Sequence, residues 1–139
     1  MADDRLKHLE FIQGVITRMA SNSFLVKGWS VTLVSAVLAV VAAKESNHKF
    51  GITLVGFLPV LLFWGLDGFF LRQEKLYRAL WDDVRMQPAA TPVDFNMNTS
   101  KVSYRVDSWG RVCLSKTLLP FHGVLLLVLI AILLFGLGK

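Results

Sequence analysis

Three stretches of this chain are almost wholly apolar, and the sequence between them alternates apolar and polar positions with a helical period. The stretches run from about Phe24 to Ala43, Phe50 to Leu71 and Leu118 to Leu137. Each reaches the roughly 20 residues that a helix needs to cross a bilayer. Val41-Ala42-Ala43 has the small residues of a signal-peptide cleavage site. However, the residues ahead of Phe24 carry a helical pattern of their own and are long for a signal n-region. The reading is therefore three spans.

Outside the spans the pattern predicts further helix. Over residues 3–20, Leu9, Ile12, Ile16 and Met19 recur at spacings of three and four, with Phe11 and Val15 widening that face. Lys7, Glu10, Gly14 and Thr17 line the opposite face. Such a helix lies on a membrane surface, packs on another helix or binds a separate protein. Ser21-Asn22-Ser23 is polar enough to cap the next helix or to bend the chain. Beyond the second span, neither Pro nor Gly interrupts Phe69 to Gln87. One helix from about Phe50 to Met86 is predicted, roughly 55 Å at 1.5 Å per residue and longer than a bilayer core of about 30 Å. Its protruding part sets Leu76, Tyr77, Leu80, Trp81 and Val84 against Glu74, Arg78, Asp82 and Arg85, with Glu74 and Arg78 spaced to pair. An apolar stripe there needs a cover, and the 3–20 helix of this chain or of another subunit is the natural one.

Pro88 and Pro92 end that helix. Asn96-Met97-Asn98-Thr99-Ser100 is turn-prone. Val102, Tyr104 and Val106 alternate as in a strand, whereas Asp107 or Ser108 would cap a short helix carrying Trp109, Val112 and Cys113. A short interfacial helix from about Ser108 to Lys116 is favoured, with a small hairpin as the alternative. The fold class is all-α: one membrane domain over 1–139, comprising an amphipathic helix (3–20), spans at 24–43, 50–71 and 118–137, a helical extension of the second span to 86, and a loop at 87–117.

Composition agrees. Hydrophobic residues make up 54% of the chain and charged residues 18%, against roughly 25% charged in soluble domains. This excludes a disordered chain and argues against a soluble enzyme. A single Cys provides neither a disulfide framework nor a zinc cluster. The distribution of Lys and Arg sets the topology. Arg5, Lys7, Arg18 and Lys27 precede or edge the first span, and eight more (Arg72, Lys75, Arg78, Arg85, Lys101, Arg105, Arg111, Lys116) lie between the second and third. Lys44, Lys49 and Lys139 are left for the other side. Twelve against three puts the N-terminus and long loop in the cytoplasm and the C-terminus in the periplasm of a bacterial inner membrane. Trp29, Trp64, Phe69 and Phe70 fall near the cytoplasmic interface, a depth that amphipathic rings favour.

There is no phosphate-binding glycine loop, nucleophile elbow or HExxH, so the expectation is no catalytic residue, no metal and no cofactor. His8, His48 and His122 are expected in the cytoplasm, outside and within the third span, and cannot share one metal site in a subunit. Cys113 reads as a small apolar residue at the interface. Asp67 is the most informative residue: an ionisable group within a span is expensive and is usually paired or functional. Lys27 lies at matching depth in the hairpin forced by the Lys44–Lys49 connection. Lys27 and Asp67 therefore form an ion pair, or Asp67 serves as an ion-attracting gate. On the first span, Gly28, Thr32, Ser35, Ala39 and Ala42 form a stripe of small residues. It packs on the second span, which has Gly56, Gly65 and Gly68, or it forms a subunit interface or pore lining. Val124 to Phe135 looks lipid-facing. Eight basic against five acidic residues in 72–117 suit orientation and anionic lipid. Arg78, Arg85, Arg105, Trp109, Arg111 and Lys116 are the candidate contacts for lipid or for an anionic ligand such as a nucleotide, since basic and aromatic groups together also bind phosphates and bases.

The runs Leu9-Glu10-Phe11-Ile12-Gln13-Gly14-Val15-Ile16-Thr17-Arg18-Met19, Ser23-Phe24-Leu25-Val26-Lys27-Gly28-Trp29-Ser30, Phe63-Trp64-Gly65-Leu66-Asp67-Gly68 with Gln73-Glu74, and Phe95-Asn96-Met97-Asn98-Thr99-Ser100 resemble a widespread family of small bacterial three-span membrane proteins. In size and plan the chain is also similar to membrane effectors of anti-phage systems that pair a nucleotide-making enzyme with a small membrane protein, an analogy of architecture. That likeness implies a homo-oligomeric channel or membrane-disrupting effector, gated from the cytoplasm by a protein, nucleotide or oligonucleotide. The alternatives are a non-conducting anchor or sensor that recruits a cytoplasmic partner, and a phage holin.

Overall fold

The computed structural model describes residues 2–43, 46–88 and 90–136. They form an all-helical fold: α1 (Ala2–Ala43), α2 (Ser46–Met86), a 3₁₀ helix (Thr99–Arg105), α3 (Trp109–Cys113) and α4 (Leu118–Gly136). Two of these, α1 and α2, are long and apolar enough to cross a membrane. The apolar part of α4, Leu118–Leu134, is shorter. Lys44, Leu137 and Lys139, and part of the Lys44–Lys49 connection, lie outside the described residues, as does the side chain of His48.

The amphipathic segment and the first apolar stretch are one helix of 42 residues, roughly 63 Å long. The expected cap or bend at Ser21-Asn22-Ser23 does not form. Neither Pro nor Gly breaks the chain there, and the Ser23 hydroxyl bonds across to α2 instead of capping a helix. Tertiary context thus overrides a local preference. The 41-residue α2 is also uninterrupted, even at Pro59, and extends to Met86 as its pattern predicts.

α1 and α2 pack side by side over their length, and α4 packs mainly on α2, which is therefore central. Two apolar clusters hold the assembly. Near the α1 N-terminus, Ile12 and Ile16 close on Leu80, Val84 and Val102, with Leu9, Tyr77, Trp81 and Met97 around them. The amphipathic face of residues 3–20 thus covers the α2 extension of the same chain. At the other end, Val34, Val60 and Leu129 unite α1, α2 and α4. Gly56 makes this approach possible: a Cβ there would lie 3.2 Å from Val37 and 3.5 Å from Leu129.

Residues 90–108 strap across the first cluster, tied back by the carbonyls of Gln87 and Pro88. Arg5 donates to the carbonyls of Gln87 (2.9 Å) and Pro88 (2.6 Å), and buried His8 contacts the Asn96 carbonyl at 3.3 Å. The strap holds itself by a ladder of side chains that each accept a backbone N–H two residues on: Asp94 from Asn96, Asn96 from Asn98 and Asn98 from Ser100. The last of these caps the 3₁₀ helix. The hairpin alternative for 101–106 is corrected by this helix, and no strand occurs among the described residues. Val102, Tyr104 and Val106 alternate in sequence, but only Val102 is buried, turned into the cluster by the cap at Asn98. The helix expected over 108–116 is shorter, ending at Cys113 with Leu114 as its C-cap.

Candidate functional site

Midway along the hairpin the apolar packing is interrupted by four polar side chains. Ser23 and Lys27 stand one turn apart on α1, Asp67 comes from α2 and His122 from α4, so the site joins all three long helices. Asp67 and His122 are 0% exposed, Ser23 is 7% exposed and the Lys27 side chain 23%. The Lys27 ammonium reaches both carboxylate oxygens of Asp67, at 2.8 Å (Oδ1) and 2.7 Å (Oδ2), and its third hydrogen goes to Ser23 Oγ at 2.9 Å. Three donors thus meet three acceptors. Ser23 Oγ in turn donates to Asp67 Oδ1, and His122 Nε2 lies 2.9 Å from Oδ2. A buried carboxylate is tolerable only when paired and hydrogen-bonded, and Asp67 is held from three sides.

An aromatic and glycine-lined wall closes the site. Trp64, one turn before Asp67, stacks on His122 with ring centres 5.8 Å apart and planes 10° apart. Phe121 meets the same ring edge-on at 5.0 Å. Two indole hydrogen bonds tie α3 alongside: Trp64 Nε1 donates to the Cys113 carbonyl (2.9 Å) and Trp109 Nε1 to the Gly65 carbonyl (3.0 Å). α3 fits here because Gly65 and Gly68 lack side chains. A Cβ on Gly65 would lie 3.3 Å from Trp109, and one on Gly68 would collide with Cys113 Sγ. Burial raises the Cys113 thiol pKa above its ordinary value, and the charge of Asp67 raises it further.

The Lys27–Asp67 pair is therefore as the matched depths predict, but two of its partners went unread. Ser23 lies in a run that reads as a cap or a bend, and His122 reads only as a histidine of the third span that shares no metal site with His8 or His48. The signal was present: His122 is the lone ionisable group in α4 and Asp67 the lone acid in the apolar stretch 50–71 of α2, and such groups seek each other.

The other candidates are not gathered at this site. Gly28, Thr32, Ser35, Ala39 and Ala42 are all exposed on the face of α1 turned away from α2 and α4. This corrects the expectation that they pack on the glycines of the second span, because those glycines meet Val37, Leu129 and α3 instead. Thr32 Oγ1 bonds its own helix at Gly28 O, 3.0 Å away. The basic candidates are committed within the chain: Arg78 to Glu74 (2.8 Å), Arg85 to Asp82 (3.1 Å), Arg105 to Asp83 (3.2 Å) and Arg111 to Asp107 (3.0 Å). Arg78 and Arg105 line a common depression, of about 370 Å³, which they share with Lys75, Asp82 and Asp107. Trp109 belongs to the α3 wall, and Lys116 is exposed beyond it. Among the described residues no three His, Cys, Asp or Glu side chains are grouped to hold a metal ion.

No family model, curated protein or solved structure matches the chain.

Proposed function

We propose that this chain is a three-span protein of the bacterial inner membrane that acts as a homo-oligomeric, membrane-permeabilising effector controlled from the cytoplasm. In this reading the Ser23–Lys27–Asp67–His122 quartet is the lock of its resting state. The observation that carries it is the continuity of α1 and α2. The same two unbroken helices bear the Ile12–Leu80 cluster at one end and the quartet some 20 Å further along. A displacement of the N-terminal half of the hairpin therefore reaches the quartet through rigid backbone. Placement in the bilayer is supported by the apolar stretches and the distribution of Lys and Arg. Assembly is supported by the outward stripe of small residues on α1, the kind of face on which membrane helices approach one another. A single copy has too few helices to enclose an aqueous path, so a pore needs several copies around an axis. Thr32 and Ser35 are the polar rungs of the stripe.

The test is release of an entrapped dye from liposomes containing the purified chain, alongside depolarisation of cells that overexpress it. Asp67→Asn, which opens the lock, raises release; Thr32→Leu with Ser35→Leu abolishes it while leaving membrane insertion intact. A chain that releases nothing in either the native or the Asp67→Asn form refutes the pore.

A second reading, a non-conducting anchor that recruits a cytoplasmic protein, is favoured by one feature. Leu6, Phe11, Met86 and Phe95 are exposed at the end of the hairpin remote from α4. Phe95 is held at a φ of 50°, a conformation costly for a side-chain-bearing residue, with its ring against His8 and Phe11. A normal liposome barrier together with specific loss of a bound partner in Phe95→Ser would replace the pore with this reading.

A further inference from the structure

The ion pairs outside the hairpin commit their arginines without spending them. Arg78 gives Nε and Nη2 to one oxygen of Glu74, and Arg105 gives Nε to the Tyr104 hydroxyl and Nη2 to Asp83. A guanidinium carries five N–H groups, so each arginine keeps its whole Nη1 unengaged among the described residues. Lys75 is half-buried and makes no ion pair or hydrogen bond with any described residue. These three side chains line the depression of about 370 Å³, Lys75 and Arg78 from α2 and Arg105 from the 3₁₀ helix. Two acids share the lining, Asp82 and Asp107, but each is answered from outside it: Arg85 holds Asp82 at 3.1 Å and Arg111 holds Asp107 at 3.0 Å. Lys75 is the cation left over. Arg72, one turn before it, has no carboxylate partner either, because its Nε donates to the Asp107 carbonyl at 3.1 Å. The depression is therefore concave, in excess of positive charge, and supplied with unspent donors from two elements.

We infer that this depression binds a phosphate group, held by Lys75 and the free Nη1 groups of Arg78 and Arg105, and that the bound group ties α2 to the 3₁₀ helix. A phosphate offers several oxygens to donors arriving from different directions, and guanidinium forks match its geometry. Two sources carry that chemistry, an anionic lipid headgroup and a soluble phosphate ester. Depth favours the headgroup. Lys75 lies four residues beyond Leu71, where the second apolar stretch ends, or roughly 6 Å along the helix. The headgroup layer is about 5–8 Å thick on each side of the hydrocarbon core, and basic pockets at that level take headgroup phosphates. The lipid source rests on the membrane placement proposed above. The phosphate site does not, and neither requires the chain to conduct.

The test uses the purified full chain in uncharged detergent micelles and reads the thermal midpoint, which rises with any ligand that binds the folded chain. In one arm phosphatidylglycerol is mixed into the micelle, with diacylglycerol, which has the chains but no phosphate, as its control. In the other, glycerol 3-phosphate is dissolved in the buffer. A rise with phosphatidylglycerol alone assigns the site to the headgroup, and a rise with glycerol 3-phosphate shows that a free phosphate ester suffices. Lys75→Gln should leave the unliganded midpoint in place and weaken the apparent affinity about tenfold, the loss of one charge-assisted bond. Lys75→Arg should restore it. Arg18→Gln removes the same charge at comparable depth on α1, where Arg18 is exposed, and should weaken binding by less than about twofold. No rise in either arm, or an equal rise with diacylglycerol, overturns the inference. So does equal weakening by Arg18→Gln and Lys75→Gln, because general surface attraction would then account for the binding. Should Lys75→Gln fail to fold, ¹⁵N-arginine spectra of the wild type decide. The Arg78 and Arg105 side-chain signals must shift on titration with the phosphate compound while that of Arg18 stays; unchanged Arg78 and Arg105 signals overturn the inference. Neither measurement uses permeability, so a failed pore leaves both readable.

Discussion

The α1–α2 hairpin is joined at two levels by opposite means. At one, Ile12, Ile16, Leu80, Val84 and Val102 exclude water by contact alone. About eleven residues further along α1, Ser23 and Lys27 grip Asp67 by directed bonds that His122 completes. Apolar contact is non-directional and roughly proportional to area, so it degrades by degrees. A buried ion pair behaves differently: removing one partner leaves the other charged and unsolvated. The first level supplies adhesion and the second supplies a state that is made or broken. That contrast is why the proposed function places its control point at the quartet and not at the larger apolar cluster.

The largest effect should come from breaking the quartet. Asp67→Ala strands Lys27 and His122 and is expected to destabilise the chain by about 3–5 kcal/mol, read as thermal unfolding in detergent micelles. Asp67→Asn keeps the shape but not the charge and should still be strongly destabilising. Lys27→Ala is expected to be non-additive with Asp67→Ala, because the two side chains share one network; purely additive losses would mean that the network carries no coupling.

The apolar level should respond in the graded way. Leu80→Ala is expected to lose about 2–5 kcal/mol, whereas Leu80→Met, which conserves volume, should lose under about 1.5 kcal/mol. The comparison stands on the near-isosteric pair: if Asp67→Asn is as mild as Leu80→Met, the two levels are not different in kind.

What could be read from the sequence divides along the same line. The apolar level was legible because helical periodicity marks a buried face whatever it packs against, and the strip Leu76, Leu80, Val84 needed only some partner. The Lys27–Asp67 pair was legible because a short connection between two helices fixes their relative depth. His122 was not, because the docking of α4 on α2 depends on Gly56, Leu129 and Trp64 fitting together in three dimensions, which no spacing encodes. Ser23 was missed for a related reason: Ser-Asn-Ser reads locally as a cap, and the carboxylate that claims it is 44 residues away. The stripe from Gly28 to Ala42 shows the limit most plainly. Spacing marks a close-approach face but is silent on which neighbour approaches, and among the described residues the stripe is exposed.

A smaller effect separates the site from its wall. Gly68→Ala drives a methyl into Cys113 Sγ, with backbone also close, and should cost about 1–3 kcal/mol while raising Cys113 labelling. Gly65→Ala meets only the rim of the Trp109 ring at 3.3 Å and should cost less. Equal penalties would mean that α3 moves as a unit and is not wedged at Gly68.

The smallest expected effect tests whether burial, and not the carboxylate itself, gives Asp67 its weight. Asp94 does similar chemistry in the open: its Oδ1 accepts the Asn96 N–H at 3.0 Å at the start of the strap's ladder. That backbone hydrogen bond, opposed by desolvation and helped to a lesser degree by the charges of Lys101 and His8, lowers its pKa below the ordinary 3.8. The folded value lies under the unfolded one, so the contribution is complete above about pH 4 and fades as pH falls through the folded value. Water surrounds this carboxylate and can replace the lost bond, so the strap should loosen locally without unfolding the hairpin. Followed by NMR, acidification below pH 4 should shift the Asn96 amide and leave those of the Ile12–Leu80 cluster in place. Asp94→Asn should remove that acid dependence while preserving an acceptor. If instead the hairpin opens together with Asp94, the strap and the clusters form one cooperative unit, and the distinction between a graded level and a switched one would have to be drawn elsewhere in the chain.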